Sequence, residues 1–187
     1  TAVEGKTFIP DSTFFHNLKS SGIKDYSLTL EENALVKYHD RQYIVTLKGV
    51  DEHYVNVTRM DSMIADGQFL LQRGDTDFAV IGGAIAYNLQ LNLGDFLNKV
   101  DLYIPRKEVS SFTNPEEAFS RRMIAPSGVF SIQQEFDSKY ILVPLRFARE
   151  ILNEENSVSS VEVSLPSKVN PNAITTELKN KLGKSFR

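Results

Sequence analysis

The chain has 187 residues, of which 41% are hydrophobic and 24% charged, the balance of an ordinary folded protein with apolar material for a real core in one domain or two. A formal net charge of −3 gives no basic field for nucleic acid, and the absence of cysteine excludes disulfides and thiol chemistry. It contains no run of about 18 apolar residues and no charged-then-apolar leader, so neither a membrane span nor a signal peptide is read in it.

Thr1 leads straight into an extended segment without an initiator methionine, and Lys184–Arg187 begins something new after a helix stop. We therefore expect an excised piece of a longer protein. Pro10 and Asp11 open a first helix, with Asp11 or Ser12 placed to cap its free N–H groups. Phe14, Phe15 and Leu18 form its buried stripe and Gly22 closes it. Tyr26, Leu28 and Leu30 alternate as a strand. Ala34–Tyr38 and Tyr43–Val50 read as two more, joined across His39–Gln42 in a hairpin-type connection. From Asp51 to Thr76 periodicity fades into turn-rich stretches (Asp61–Gly67, Arg73–Asp75) around one apolar patch at Phe69–Leu71.

The stretch Asp77–Pro105 is the most ordered in pattern. Phe78–Ile81 is a short β-prone run ended by Gly82-Gly83. Ile85, Ala86, Leu89 and Leu93 then recur at helical spacing, with Gly94-Asp95 as the stop. Val100, Leu102 and Ile104 alternate as a strand that Pro105 ends. Arg106–Arg122 is polar and long for a connection inside a compact domain. Met123–Ile132 and Tyr140–Val143 read as strands around the polar turn Gln133–Lys139. Pro144 is placed as the first residue of a helix whose apolar face is Leu145, Ala148, Ile151 and Leu152. Asn153–Ser160 is linker-like, Val161, Val163 and Leu165 alternate as a strand, and Asn170-Pro171 caps a last helix with Ile174, Leu178 and Leu182 on one face.

This order carries a resemblance. VIGG (Val80–Gly83), AIAYNLQLNLGD (Ala84–Asp95) and VDLYIP (Val100–Pro105), together with the strand end Leu47-Lys48-Gly49-Val50-Asp51, resemble the core of the extracytoplasmic domain of MacB/LolC/LolE-type (FtsX-like) ABC transporter permeases. A dinucleotide site is the poorer idea, since Gly82-Gly83 lacks the G-x-G-x-x-G spacing and the helix is too short for a usual crossover. The resemblance implies an α+β fold. A split βαβ, porter-like subdomain would be built from both termini (1–52 and 154–187), with an inserted, mostly-β subdomain carrying short helices (53–153). The same grammar at the two ends, helix and strand against strand and helix, agrees with a single split sheet.

No enzyme signature is legible. His16, His39 and His53 each stand alone. Asp75 and Asp77 could hold a hard cation, but no further oxygen ligands follow at loop spacing, so a turn with two solvated carboxylates is the reading. Glu116-Glu117 and Glu154-Glu155 look like surface charge. Tyr38, Tyr43 and Tyr54 lie near Lys37, Arg41 and Lys48, as on some nucleic-acid surfaces, yet Asp40, Asp51 and Glu52 accompany them. Asn56-Val57-Thr58 fits a glycosylation sequon, a triplet that arises often by chance. P-loop, nucleophile elbow and H-E-x-x-H are absent, so no cofactor, metal or nucleotide is expected.

What the resemblance implies is a non-catalytic domain on the periplasmic side of the bacterial inner membrane. Membrane helices would precede residue 1 and follow residue 187. Its partners would be a cytoplasmic ATPase, a second permease subunit, and a periplasmic lipoprotein carrier or an adaptor; no nucleic acid is among them. The strand, polar turn and strand at Met123–Val143 before Pro144 look closer to the lipoprotein-releasing branch, with a MacB-type efflux permease as the alternative. A stand-alone ligand-sensing or adaptor module of the same shape is a reading of another class. In LolC-like permeases a loop between the corresponding strands engages the lipoprotein carrier, with basic residues at its base. Arg121 and Arg122 match those in type, and with Phe112 and Phe119 they are the expected partner-binding residues.

Overall fold

The computed structural model describes residues 6–95, 99–106, 118–165 and 169–183. Asp11 caps the first helix, α1 (Ser12–Ser20), its carboxylate accepting the Phe14 N–H at 2.7 Å. Gly22 then turns the chain at a φ of +79°, where a side chain would be strained. The strands expected at Tyr26–Leu30 and Ala34–Tyr38 are one, β1 (Asp25–Tyr38). Its polar middle stays extended because Glu31, Glu32 and Asn33 pair in register with Lys48, Leu47 and Thr46 of β2 (Arg41–Val50). The hairpin turn is His39-Asp40, with His39 left-handed.

The region of fading periodicity holds a short helix, α2 (Tyr54–Thr58), one 3-10 turn (Met60–Met63), and the strands β3 (Ile64–Gly67) and β4 (Gln72–Arg73). Next come β5 (Thr76–Gly82), α3 (Gly83–Leu89), β6 (Val100–Pro105), β7 (Phe119–Phe130) and α4 (Gln134–Asp137). The chain continues through β8 (Tyr140–Pro144), α5 (Leu145–Leu152), β9 (Ser160–Ser164) and α6 (Pro171–Leu182). Pro144 is the last residue of β8 and precedes the helix instead of opening it.

Strand pairing closes on itself. β1 pairs with β2, β2 with β8, β8 with β5, β5 with β7, β7 with β6, and β6 again with β1. The result is a six-stranded ring in which β2–β8 and β5–β7 are parallel and the other pairs antiparallel. Alternate residues point inward, among them Val36, Leu47, Ile81, Leu102, Ile124 and Ile141, and fill the lumen as one apolar cluster. Helices α3 and α5 add Ile85, Leu89, Ala148 and Ile151 to the same cluster. Helix α5 approaches β2 closely at Gly49, where a Cβ would lie 2.3 Å from that of Ala148.

The first half of β1 leaves the ring and pairs instead with β9, Asp25–Thr29 against Ser160–Ser164. Phe8 bridges Val158 on the far side. Over this second layer lie α1 and α6, around a separate cluster of Phe14, Leu18 and Ile23 with Val161, Val163 and Leu178. Lys181 fastens the end of α6 by donating to Ser20, Ser21 and Glu177. The architecture is α+β, and strands from residues 25–50 share one sheet with strands from residues 53–153. Among the described residues no helix is long and apolar enough to cross a membrane.

Candidate interaction site at the base of the long hairpin

Of the expected partner-binding residues, Phe112 lies outside the described residues. Phe119, Arg121 and Arg122, read from sequence as loop, belong to β7 and pair with Pro105, Tyr103 and Leu102 of β6. The Arg106 N–H donates to the Ala118 carbonyl at 2.9 Å, so the hairpin is hydrogen-bonded beyond Pro105. The run is polar enough to look like loop. What makes it strand is its neighbour, because β6 offers a complete row of backbone partners and a matching set of side chains.

Phe119, Arg121 and Met123 share the outer face of β7, and Phe119 and Met123 are 41% and 58% exposed, large apolar side chains left in water. Arg121 between them is tied down. Its Nε and Nη2 both reach Asp101 Oδ1 at 2.8 Å, and its guanidinium carbon sits 5.6 Å from the Tyr103 ring centre. The hydrogen bond to Asp101 and that carboxylate's charge hold the guanidinium more firmly protonated than usual. Arg122 makes a looser pair with Glu150 of α5 at 3.7 Å, both ends exposed. Of these residues, Arg121 is committed within the chain, while Phe119, Met123 and Arg122 are available to another molecule. Met123 escaped the sequence reading because an apolar residue in an alternating run reads as core.

On the other side of the hairpin from this face a cleft of about 420 Å³ opens between the hairpin, the end of α5 and β1, lined by Glu32, Ile104, Arg106, Ser120, Ile151 and Asn153. It lies where β1 passes from its pairing with β9 to its pairing with β6. Asn153 forms part of its wall in a left-handed conformation that ends α5.

Other candidates resolve as structure. Asp75 and Asp77 are not a solvated pair: Asp77 Oδ1 accepts Arg146 Nε at 2.8 Å and Nη2 at 2.7 Å, and the Asp75 carbonyl accepts Nη2 at 3.2 Å. Helix α5 brings that guanidinium to the turn, a partner 69 residues distant that local spacing could not reveal. His39 stacks edge-on against Tyr38, ring centres 4.3 Å apart, and His53 lies 3.8 Å from Glu52 at the surface. Among the described residues no group of three His, Asp or Glu side chains could hold a metal ion. Tyr38 and Tyr54 are both buried, in different clusters, so they present no aromatic surface to a nucleic acid.

Sequence reading missed Lys48. Its side chain is 9% exposed, with Nζ 3.0 Å from Glu31 and in a short hydrogen bond to Glu162, above the rings of Tyr54 (5.6 Å) and Tyr140 (5.2 Å). Burial alone would push this amine down; the charges of Glu162, Tyr54 and Glu31 outweigh it and hold the group above its ordinary value. Burial pushes the Tyr54 hydroxyl up to about 12, with Lys48 opposing and the carboxylates reinforcing.

No protein-family description and no curated protein sequence matches the chain. Solved structures do. The extracellular domain of the noncanonical ABC-type transporter YknZ from Gram-positive bacteria matches with a TM-score of 0.62 at 15% identity, over 95% of this chain and 83% of that one. The periplasmic region of MacB from Actinobacillus actinomycetemcomitans matches at 0.57 and 14%, over 90% and 72%. A domain of a protein described as a permease from Porphyromonas gingivalis matches at 0.51 and 13%, over 96% and 73%. At such identities the likeness establishes the fold, and that fold is the one the residue pattern resembled.

Proposed function

We propose that this chain is a non-catalytic extracytoplasmic domain of an ABC transporter permease, carried outside the inner membrane and moved by flanking membrane helices while a separate cytoplasmic ATPase hydrolyses ATP. The observation that carries this reading is the match of nearly the whole chain to three transporter or permease domains, two of which are described as extracellular or periplasmic. The described segments nearest the two ends, Phe8 with α1 and β9 with α6, share one layer, as would suit a domain attached to a membrane through both. We read that layer as a reduced porter-like unit in which the Phe8 segment, α1 and β1 flank β9. Residues 1–52 and 154–187 then meet the rest of the domain through β1 itself. A second permease subunit completes the transporter.

The work of the domain on this reading is handover. Within the family we favour lipoprotein release, with the outer face of β7 (Phe119, Met123) and Arg122 contacting a periplasmic carrier. The support is a pair of large apolar side chains in water on the outer face, the composition of a contact centre, with the weakly held Arg122 on the other face of the same strand. A MacB-type efflux role, with an adaptor as the partner, is favoured by the likeness to the MacB periplasmic region. A pull-down of purified lipoprotein carrier and, separately, of periplasmic adaptor by this chain distinguishes them. Carrier capture weakened about tenfold in Phe119→Ala/Arg122→Ala, with an unchanged melting temperature, is the expected result. Capture of the adaptor alone would assign the domain to efflux, and binding of neither would remove the handover role from this face.

A further inference from the structure

The Lys48 ammonium is shared by two carboxylates that belong to different parts of the molecule. Glu31 faces it directly across the β1–β2 ladder, within the strands that continue into the barrel. Glu162 reaches it from β9, over the width of β1. Strand β9 is otherwise joined to the sheet, among the described residues, by its pairing with the first half of β1 and by Ser159 and Ser160, whose hydroxyls hydrogen-bond with Glu31 and Thr29, near the Phe8–Val158 bridge. Helix α2 closes the top of the cluster with Tyr54, and β8 closes its side with Tyr140, whose ring also lies under Lys139 at 4.8 Å.

A buried cation held by a single carboxylate would be left unpaired, at heavy cost, the moment that carboxylate moved away. Here the cation has a second partner that stays. We propose that Lys48 is a two-carboxylate latch, with which the β9–α6 layer can open from the barrel while the ammonium remains buried and paired to Glu31. The closed state holds both pairs and the open state holds one. Glu162 therefore sets how tightly the layer is shut, and Glu31 sets how easily it opens. A cluster serving only as packing has no such asymmetry, since loss of either carboxylate would loosen the same site. The proposal stands independently of the transporter reading, since it concerns only how two layers of this chain hold together.

The two roles predict opposite signs. Native-state hydrogen exchange by mass spectrometry on the 187-residue chain would compare segments 158–165 and 171–183 with barrel segments 79–82 and 140–144. Glu162→Gln should speed exchange in the first two segments about tenfold relative to the barrel, a change of about 1.4 kcal/mol in the local opening. Glu31→Gln, which strands the ammonium on opening, should leave the layer's exchange relative to the barrel unchanged or slower. Should that variant not fold, Glu31→Asp makes the same comparison with the charge kept and drawn back by one methylene. Faster relative exchange of the layer in both carboxylate variants, or no change in Glu162→Gln, would overturn the latch.

Discussion

Single residues show how closely the barrel is packed and how charge is kept inside its wall. Gly49 sits under Ala148, and a methyl group at its Cα would collide with the Ala148 methyl and crowd the Leu145 Cα at 3.3 Å. Gly49→Ala should therefore cost about 1–3 kcal/mol, seen as a lower urea midpoint with an unchanged slope. Tyr54 offers a test by pH. Its hydroxyl titrates near 10 when unfolded and at about 12 when folded. From pH 10 upward the folded chain keeps a proton that the unfolded chain has lost, so stability is full below 10 and declines as pH rises through 12. Lys48, also raised, bends the curve the same way at higher pH. Urea unfolding should show a loss of about 1 kcal/mol from this source between roughly pH 9 and pH 11, and Tyr54→Phe should flatten that part of the decline. Neither residue announced its role in the sequence. Gly49 looked like the end of a strand, and Lys48 like a surface lysine, because Ala148 above the one and Glu162 and Tyr140 around the other come from segments about one hundred residues away.

At the scale of elements, strands with alternating apolar residues were legible, and their ends were less so. Helix α3 illustrates the reason. The expected stop was Gly94, but the helix ends at Leu89, with Gln90 left-handed at a φ of 53°. The Leu91 N–H then returns to the Ala86 carbonyl at 2.9 Å, and Leu91 packs on the barrel cluster. An apolar residue two places after the helix end selected this stop over the glycine further on. Gln90→Gly relieves the left-handed strain, offset in part by a more flexible unfolded chain, and should raise stability by about 0.5–1 kcal/mol in thermal unfolding. The long hairpin erred in the other direction. The polarity of residues 119–122 suggests loop, yet β6 recruits them as strand, so the proposed contact residues stand on a paired strand whose outer face is set by alternation. The sequence shows an aromatic and two arginines at this end of the loop; which of them share a face, and that Met123 joins Phe119 there, it does not show.

For the whole molecule, the α+β class was readable, because runs of helical and of alternating spacing both recur along the chain. Ring closure was not. Each strand's pattern states which face is buried but not which strand lies beside it, and the β2–β8 and β5–β7 pairings join segments far apart in sequence. Closure leaves few open edges, and apart from Phe119 and Met123 on β7 the large exposed apolar residues Ile9, Ile44, Tyr87 and Ile132 stand on different segments. The chain alone should thus sediment as a monomer at micromolar concentration, and a stable dimer there would contradict this account of its surface. The pairing of β1 with β9 also has a consequence on the ribosome. Thr29 is made 131 residues before Ser160, its neighbour in the sheet. At ~5–20 residues per second the first half of β1 waits roughly 7–26 s for its partner strand. During that interval Tyr26 and Leu28 present a bare edge to any chain that can pair with it.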